Sequence, residues 1–501
     1  MTYHLGRVAH WIQNKNISYY QTHVIRQLVY QPFAEWIILH VQLFSGTDVF
    51  ANTIQLFFLA SSLSVVTLIT KEVGGTAQQQ LTSALIAVIV PMVIIQSNTT
   101  QNDIVVAFFI LSFVFLAIRT LKQTKTSLIF LSGIALGLAW LTKGTAYLFT
   151  ALFTLWYVLI LLKDYRQPLI HILKKAAILA IIPLIAILIN SGFYFRNKFL
   201  TSSALGDATK ITANEGFEAK QIALVTIKNI LNHFPVTDHL KEVVVQKAAN
   251  FDIDANDPRY NFITIEWMKS GFYFHEDYVQ NFIQTILIIL AGIAFLFKRR
   301  LYTQRINYYT LFVFTIFATS ILYCVLLKWQ PWSNRLQTPL FLLFSVFLAI
   351  ELSHTKKWMQ AICFAAMLGF GIASLLWSTN HPVLPVSHSV IKNSRNSYIY
   401  KDGDLECKDY VEKSPFTKIG IYIGGDSWDY PYYRLLANTT TGTRRTIKHV
   451  MVNNESAIYL DNFVPDAVLS IDTVTSKYTI YGKDYYKARV FKNGNAIFIP
   501  R

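Results

Sequence analysis

The sequence is dominated by apolar runs, each about as long as a helix that crosses a lipid bilayer. Such a helix needs about 20 mainly apolar residues, and no ionisable residue lies at the centre of any of these runs. The runs fall near 51–70, 80–96, 104–121, 127–142, 145–162, 171–190, 280–298, 307–327, 336–353 and 357–377. They predict a polytopic helical membrane protein. The shorter apolar stretch 33–46 is predicted to be re-entrant or interfacial.

Composition supports this prediction. Hydrophobic residues make up 53% of the 501 residues and charged residues only 15%, whereas soluble domains carry about 25% charged residues. Three cysteines in a chain of this length cannot form a disulfide framework. Soluble globular, disordered, collagen-like and disulfide-stabilised classes are therefore excluded.

The net charge of +16 could indicate a nucleic-acid partner, but the positions of the cations argue against one. Many lie in short loops on alternate sides of the runs, as the positive-inside rule predicts for cytoplasmic loops. The loop residues are Arg119, Lys122 and Lys125, then Lys163, Arg166, Lys174 and Lys175, then Lys298, Arg299, Arg300 and Arg305, and finally Lys356 and Lys357. The segment 191–279 and everything after residue 378 are then predicted to be extracytoplasmic.

Residues 380–501 change in character and predict a small α/β domain of about 120 residues. Short β-rich runs are predicted at 418–424, 457–460, 467–471, 478–482 and 488–500, with one short helix near 432–437. Asn493-Gly494 lies between two apolar segments, a strong signal for a hairpin turn.

Two helices are predicted outside the apolar runs. Leu5, Val8, Ala9 and Ile12 fall at helical spacing, with His4, Arg7 and His10 on the other side, which predicts an amphipathic helix at a membrane surface. A similar stripe predicts a helix at 223–231. The predicted organisation is 1–32 as interfacial helices, 33–190 as a first membrane module, 191–279 as an outer loop, 280–378 as a second membrane module and 379–501 as the α/β domain.

Several polar residues lie where apolar runs meet the predicted outer face. Asp103 opens a run and could orient a nucleophile or accept its proton, although an acid at a helix N-terminus also complements the helix dipole. Lys143, in a Lys-Gly turn, and Arg335, after an aromatic loop, could bind a lipid phosphate. Arg196, at the end of another run, could join them, although such cations also snorkel at helix ends.

Two further groups leave alternatives open. The histidines and acids of the first 35 residues could bind a divalent metal, but their spacing fits no ligand motif, and a polar helix face explains them better. His275, Glu276 and Asp277 could form an interfacial cap or part of an acceptor site.

Short motifs now show a resemblance to a known family. TYHLGRVAHW, THVIRQLVYQPFAEWIILHVQLFSG, QNDIVVAFFIL, LTKG, FRN and RLQTPLF occur in the order found in GT-C glycosyltransferases. The chain most resembles family 39, which includes protein O-mannosyltransferases and the aminoarabinose transferases of lipid A. The resemblance covers most of residues 1–355.

The resemblance implies a GT-C-like helical bundle and a membrane glycosyltransferase whose active site faces outward. Such an enzyme moves a sugar from a polyprenyl-phosphate donor to a lipid, glycan or protein acceptor. Asp103 matches an acidic position of the family, Lys143 the lysine of its T-K-G turn, and Arg335 the arginine of its R-x-x-x-P segment. Arg7 and His4 match the family's first outer loop and are predicted to line the site, with Arg196 as a further phosphate ligand.

One departure from the family pattern bears on activity. Members carry a first transmembrane helix and a principal catalytic aspartate just before the position of Thr2, and neither is present in this sequence. We expect an amino-terminally truncated product or a misassigned start. The alternatives are an inactive remnant and a transporter or flippase of lipid-linked sugars, although transporters usually keep ionisable groups near the bilayer midplane. The expected location is a bacterial inner or plasma membrane.

Overall fold

The computed structural model describes residues 3–163, 167–206, 211–298, 308–437, 442, 444–471 and 475–500. Of the basic loop residues named above, Arg166, Arg299, Arg300 and Arg305 lie outside these ranges. The chain divides into two compact units. The first unit comprises Met1–Ala51, Tyr194–Ala208 and Val386–Arg501, and the second comprises Asn52–Phe193 and Thr209–Pro385.

Helices make up most of the amino-terminal half. They are α1 (His4–Asn14), α2 (Arg26–Val29), α3 (Phe33–Ser45), α4 (Thr53–Glu72), α5 (Ala77–Val88), α6 (Pro91–Gln96), α7 (Asp103–Lys122), α8 (Thr126–Thr142), α9 (Thr145–Thr154), α10 (Trp156–Lys163), α11 (Leu169–Leu179) and α12 (Ile181–Thr201).

The carboxy-terminal half adds further helices and, among the described residues, the strands of the sheet. The helices are α13 (Ala219–Leu231), α14 (Asp238–Ala249), α15 (Phe282–Lys298), α16 (Tyr308–Leu326), α17 (Ser333–Leu336), α18 (Thr338–Ser353), α19 (Lys357–Leu376), α20 (Arg395–Ile399), α21 (Asp402–Glu412) and α22 (Tyr430–Leu436). The strands are β1 (Lys418–Tyr422), β2 (Thr446–His449), β3 (Ala467–Ser470), β4 (Lys477–Ile480), β5 (Lys483–Val490) and β6 (Ala496–Pro500).

The second unit is a helical bundle built from the predicted apolar runs. α7 and α18 are buried along nearly their whole length, which fits helices that are apolar all round. The run near 80–96 is divided into α5 and α6, and Pro91 begins α6, where a proline's missing N–H costs no helical hydrogen bond. Among the described residues, α4, α7, the α11–α12 segment, α16 and α19 are long and apolar enough to cross a membrane.

α13 forms as predicted, but its apolar stripe does not form the core. Ile227 and Ile230 are exposed, whereas Leu224, Val225 and Lys228 lie on the buried face. Lys228 tolerates burial because its ammonium donates to the carbonyl of Ala255 at 2.8 Å. The spacing therefore identified the helix, and the structure shows which of its sides is buried.

The first unit is organised around one six-stranded sheet with strand order β2-β1-β3-β6-β5-β4. β1 is parallel to both β2 and β3, and the remaining pairs are antiparallel. The predicted hairpin is present between β5 and β6, with Gly494 at φ +83° in its turn. The predicted strand at 457–460 is wrong, because Glu455–Tyr459 forms a 3-10 helix.

α1 belongs to the first unit, and its predicted polar surface is wrong. His4, Arg7 and His10 are all buried, together with Leu5 and Val8. Polar side chains can be buried at acceptable cost only where they find partners. The partners come from α2, α3 and the sheet domain, and they are described below.

Candidate functional site

Asp103 is the first residue of α7, and the surrounding loops hold that helix end in place. The side chain of Asn102 donates to the carbonyl of Thr142 at 3.0 Å, and the N–H of Ile104 donates to the side chain of Gln55 at 2.8 Å. The Asp103 carboxylate thus lies at the positive end of the α7 dipole, where a negative charge is favourable.

Lys143 and Arg335 approach Asp103 from two other segments. Lys143 ends α8 in an extended conformation, and its Nζ lies 2.5 Å from Asp103 Oδ1. Arg335, in the short helix α17, has its Nε 3.7 Å from Asp103 Oδ2. The structure therefore brings together three residues that the sequence singled out separately.

Asp277 is a fourth charged member of this cluster. Its Oδ1 accepts a hydrogen bond from Arg335 Nη1 at 2.5 Å and a longer one from Gln101 at 3.4 Å. His275 is adjacent, with its Nδ1 3.8 Å from Asp277 Oδ2. The sequence had marked residues 275–277 only as an open alternative. Their proximity to Arg335 depends on Asn334, whose side chain donates to the carbonyls of Tyr278 and Val279.

The four charged side chains of this cluster differ in how far they are exposed to solvent. The side chain of Asp103 is 2% exposed, that of Lys143 13%, that of Arg335 22% and that of Asp277 28%. Burial lowers the pKa of the Lys143 ammonium, an effect opposed by the charge of Asp103. Burial raises the pKa of Asp277, but Arg335 and His275 lower it further, so the net shift is downward. Asp277 is therefore a carboxylate at neutral pH.

Unsatisfied acceptors surround this charged group. Asp103 Oδ2, Gln101 Oε1 and Asn102 Oδ1 are buried and have no hydrogen-bond partner among the described residues. Buried acceptors are normally paired. Acceptor oxygens beside two cations can receive the hydroxyls of a polar molecule whose anionic group binds the cations.

His4 and Arg7 lie in the first unit, where both contact the buried carboxylate of Glu35. His4 Nδ1 lies 2.5 Å from Glu35 Oε1, and Arg7 Nη1 lies 3.5 Å from Glu35 Oε2. The Arg7 guanidinium also donates to the carbonyls of Arg26, Gln27, Tyr30 and Gln31 around the end of α2. Their predicted contact with substrate stays a prediction.

Arg196 also belongs to the first unit. Its guanidinium lies 5.4 Å from the ring centroid of Tyr19, within the range of a cation–π contact. Its Nη1 is 3.5 Å from the carbonyl oxygen of Ile17. Phosphate binding by Arg196 is likewise a prediction that these contacts leave untested.

His10, Asp429 and His449 form the one three-residue group among the described residues whose ligand atoms are close enough for a metal ion. The hydrogen bonds do not fit a cation. His449 Nδ1 accepts a hydrogen bond from the N–H of His23 at 3.0 Å, and its Nε2 lies 3.2 Å from Asp429 Oδ2. A metal-binding histidine instead donates from its second nitrogen.

Three side-chain nitrogens of this group lie close to one oxygen. Gln27 Nε2, His449 Nε2 and His10 Nε2 lie 2.8, 3.2 and 3.3 Å from Asp429 Oδ2. Burial lowers the pKa of His10 to about 4, with Asp429 opposing the shift. A cluster of buried polar side chains around a carboxylate describes this group better than a metal centre does, and a divalent metal elsewhere in the chain stays a prediction.

Comparison with known proteins supplies the class of fold. No protein-family model matches the chain, and no curated protein matches it in sequence. The crystal structure of ArnT from Cupriavidus metallidurans bound to undecaprenyl phosphate does match in structure, with a TM-score of 0.53 and 12% identity. The alignment covers 99% of this chain and 92% of that one.

The same protein in its apo state gives a TM-score of 0.51, again at 12% identity, 99% coverage of this chain and 92% of that one. An oligosaccharyltransferase from Archaeoglobus fulgidus, in complex with Zn and sulfate, gives 0.45 at 14% identity, covering 93% of this chain and 63% of that one, a score too low to support an argument. The chain therefore has the fold of ArnT. Its predicted class, a mainly α polytopic membrane protein with a small C-terminal α/β domain, is confirmed.

Proposed function

We propose that the chain is a membrane glycosyltransferase. In this proposal it transfers a sugar from a polyprenyl-phosphate donor to a lipid, glycan or protein acceptor at the outer face of a bacterial inner or plasma membrane. The observation that carries the proposal is the meeting of Asp103, Lys143 and Arg335 at one helix end. The ArnT-like fold supports it.

Lys143 and Arg335 would bind the phosphate of the donor. A guanidinium presents several N–H donors in one plane, and an ammonium acts as a point charge, so together they suit a phosphate with several oxygens. Sugar transfer turns the donor phosphodiester into a phosphate monoester, which gains negative charge as the glycosidic C–O bond breaks. Cations already in place stabilise that charge as it develops.

Asp103 would act on the acceptor. Its Oδ1 is held by Lys143, whereas its Oδ2 accepts no hydrogen bond from the described residues. In this role Oδ2 orients the acceptor hydroxyl and takes its proton while the hydroxyl oxygen attacks the anomeric carbon. The bond from that carbon to the phosphate oxygen breaks, and polyprenyl phosphate leaves with both electrons.

The proposal is tested by assaying release of polyprenyl phosphate. The purified chain in lipid nanodiscs is incubated with a panel of polyprenyl-phosphate sugars and a membrane-lipid extract as acceptor. We expect turnover with at least one donor. Lys143→Met should lower the turnover rate by at least about 100-fold, the scale reported for losing one preorganised charge-stabilising group.

Lys71→Met is the matched control, because Lys71 is an exposed lysine in the last turn of α4. Its turnover should equal that of the unaltered chain. Absence of turnover with every donor would instead favour a catalytically inactive protein. A second assay uses the chain reconstituted in closed lipid vesicles. Movement of the donor across the vesicle membrane without formation of product would favour a transporter.

A further inference from the structure

Asp277 has no part in the proposed reaction, yet it forms an ion pair with Arg335. The two side chains are joined at 2.5 Å, and Gln101 donates to the same carboxylate oxygen. Lys143 and Asp103 form the second pair at 2.5 Å. The charges of these four described side chains therefore cancel.

A neutral cluster is a poor receptor for an anion. A donor phosphodiester brings one negative charge, and it would meet two carboxylates as well as two cations at close range. Like charges in a partly buried site repel strongly, because little water screens them. The phosphate gains full access to Arg335 only when one carboxylate moves away from it.

The structure distinguishes the two carboxylates. Asp103 is 2% exposed, lies at the first residue of α7, and is held by Lys143. Asp277 is 28% exposed and lies in the loop that precedes α15. Moving Asp277 towards water costs less, because its carboxylate is already partly solvated.

We propose that Asp277 is the resting counter-ion of Arg335 and that the phosphate of the lipid-linked donor replaces it. The proposal rests on the proposed function, and Asp277 is a positioning residue that acts through Arg335. His275, whose Nδ1 lies 3.8 Å from Asp277 Oδ2, is the nearby group towards which the released carboxylate can turn.

The direction of one binding change separates this role from a structural one. If Asp277 served only to orient Arg335, its neutral variant would bind phosphate more weakly. If Asp277 competes with phosphate, the neutral variant binds more tightly. Asp277→Asn keeps the shape of the side chain and removes only the charge.

The experiment measures the Kd of a short-chain polyprenyl phosphate for the purified full chain in detergent. We expect Asp277→Asn to bind about tenfold more tightly, the change that corresponds to one charge-assisted hydrogen bond. Asp277→Glu should bind as the unaltered chain does. Glu242→Gln, the loss of an exposed charge on α14, should stay within about twofold.

Unchanged or weaker binding by Asp277→Asn overturns the counter-ion role while leaving the proposed function intact. Failure of the unaltered chain to bind polyprenyl phosphate overturns the proposed function itself, so the two failures are distinguishable. If Asp277→Asn does not fold, as judged by its melting curve, Asp277→Ser removes the same charge and is measured against the same expectation.

Discussion

Glu35 and Asp103 are buried carboxylates, one in each unit, and basic side chains from other segments contact both. Glu35 contacts His4 and Arg7 of α1, and Asp103 contacts Lys143 and Arg335. A buried charge that loses its partner is far more costly than a broken surface ion pair. These single residues therefore hold separate segments together.

Arg7 provides a test of this point through stability. Arg7→Met should lower the free energy of unfolding of the first unit by about 3–5 kcal/mol, because Glu35 would remain buried with one cation fewer. The carbonyls around the end of α2 would also lose their donor. Thermal unfolding followed by intrinsic fluorescence measures the loss.

Arg26→Met is the control for Arg7. Arg26 contacts Asp426, which is almost fully exposed, and surface ion pairs contribute at most about 1 kcal/mol. A melting temperature that falls equally in both variants would contradict the special role of the buried pair. A loss confined to Arg7→Met would support it.

At the level of elements, α1 packs so closely that one of its residues must be glycine. A Cβ added at Gly6 would lie 2.4 Å from Asp429 Oδ1 and 2.5 Å from Gln27 Nε2. Both atoms belong to the hydrogen-bonded group around the Asp429 carboxylate, so neither can move without loss. The glycine permits the close approach of α1 to this group.

Gly6→Ala should therefore destabilise the first unit, although alanine is the better helix former by about 1 kcal/mol. We expect a net loss of about 1–3 kcal/mol, the usual cost of overpacking, measured by denaturant unfolding. Gly369→Ala is the control, because an added Cβ in that helix meets no atom within 4 Å. A Gly6→Ala variant as stable as the control would contradict this packing.

The sequence predicted where helices form better than it predicted which side of a helix is buried. Every apolar run became helix, because composition and length suffice to recognise such a segment. The burial of α1 was misjudged, because its buried side carries His4 and Arg7. Hydrophobic spacing cannot reveal a buried cation whose partners lie in distant segments. The strand β2 was missed because its sequence, TIKH, is short and mixed in polarity.

For the candidate site, the sequence likewise identified single residues but not the contacts between them. Asp103, Lys143 and Arg335 were each found as isolated polar residues beside apolar runs, and the structure unites them. Asp277 could not be assigned, because its contact with Arg335 crosses 58 residues of chain. Only a tertiary structure shows which of several loop acids lies beside a given cation.

A direct experiment can establish which side of the membrane the C-terminal domain and the loops face. A reporter enzyme that is active only outside the cytoplasm, fused after residue 501, should be active in bacterial cells. The same reporter fused after Lys125, in a predicted cytoplasmic loop, should be inactive. The reverse pattern would contradict the proposed orientation of the site and of the C-terminal domain.

The division of the chain has a consequence for the timing of synthesis. His10 and Asp429 meet in the first unit, yet 419 residues separate them. At about 5–20 residues per second, a ribosome delivers Asp429 about 20–80 s after His10. The whole second unit is synthesised in that interval. Its helices must therefore insert into the membrane before the residues that bury α1 have been made. Mutations that slow translation or insertion should therefore expose α1 to proteolysis before they affect the finished protein.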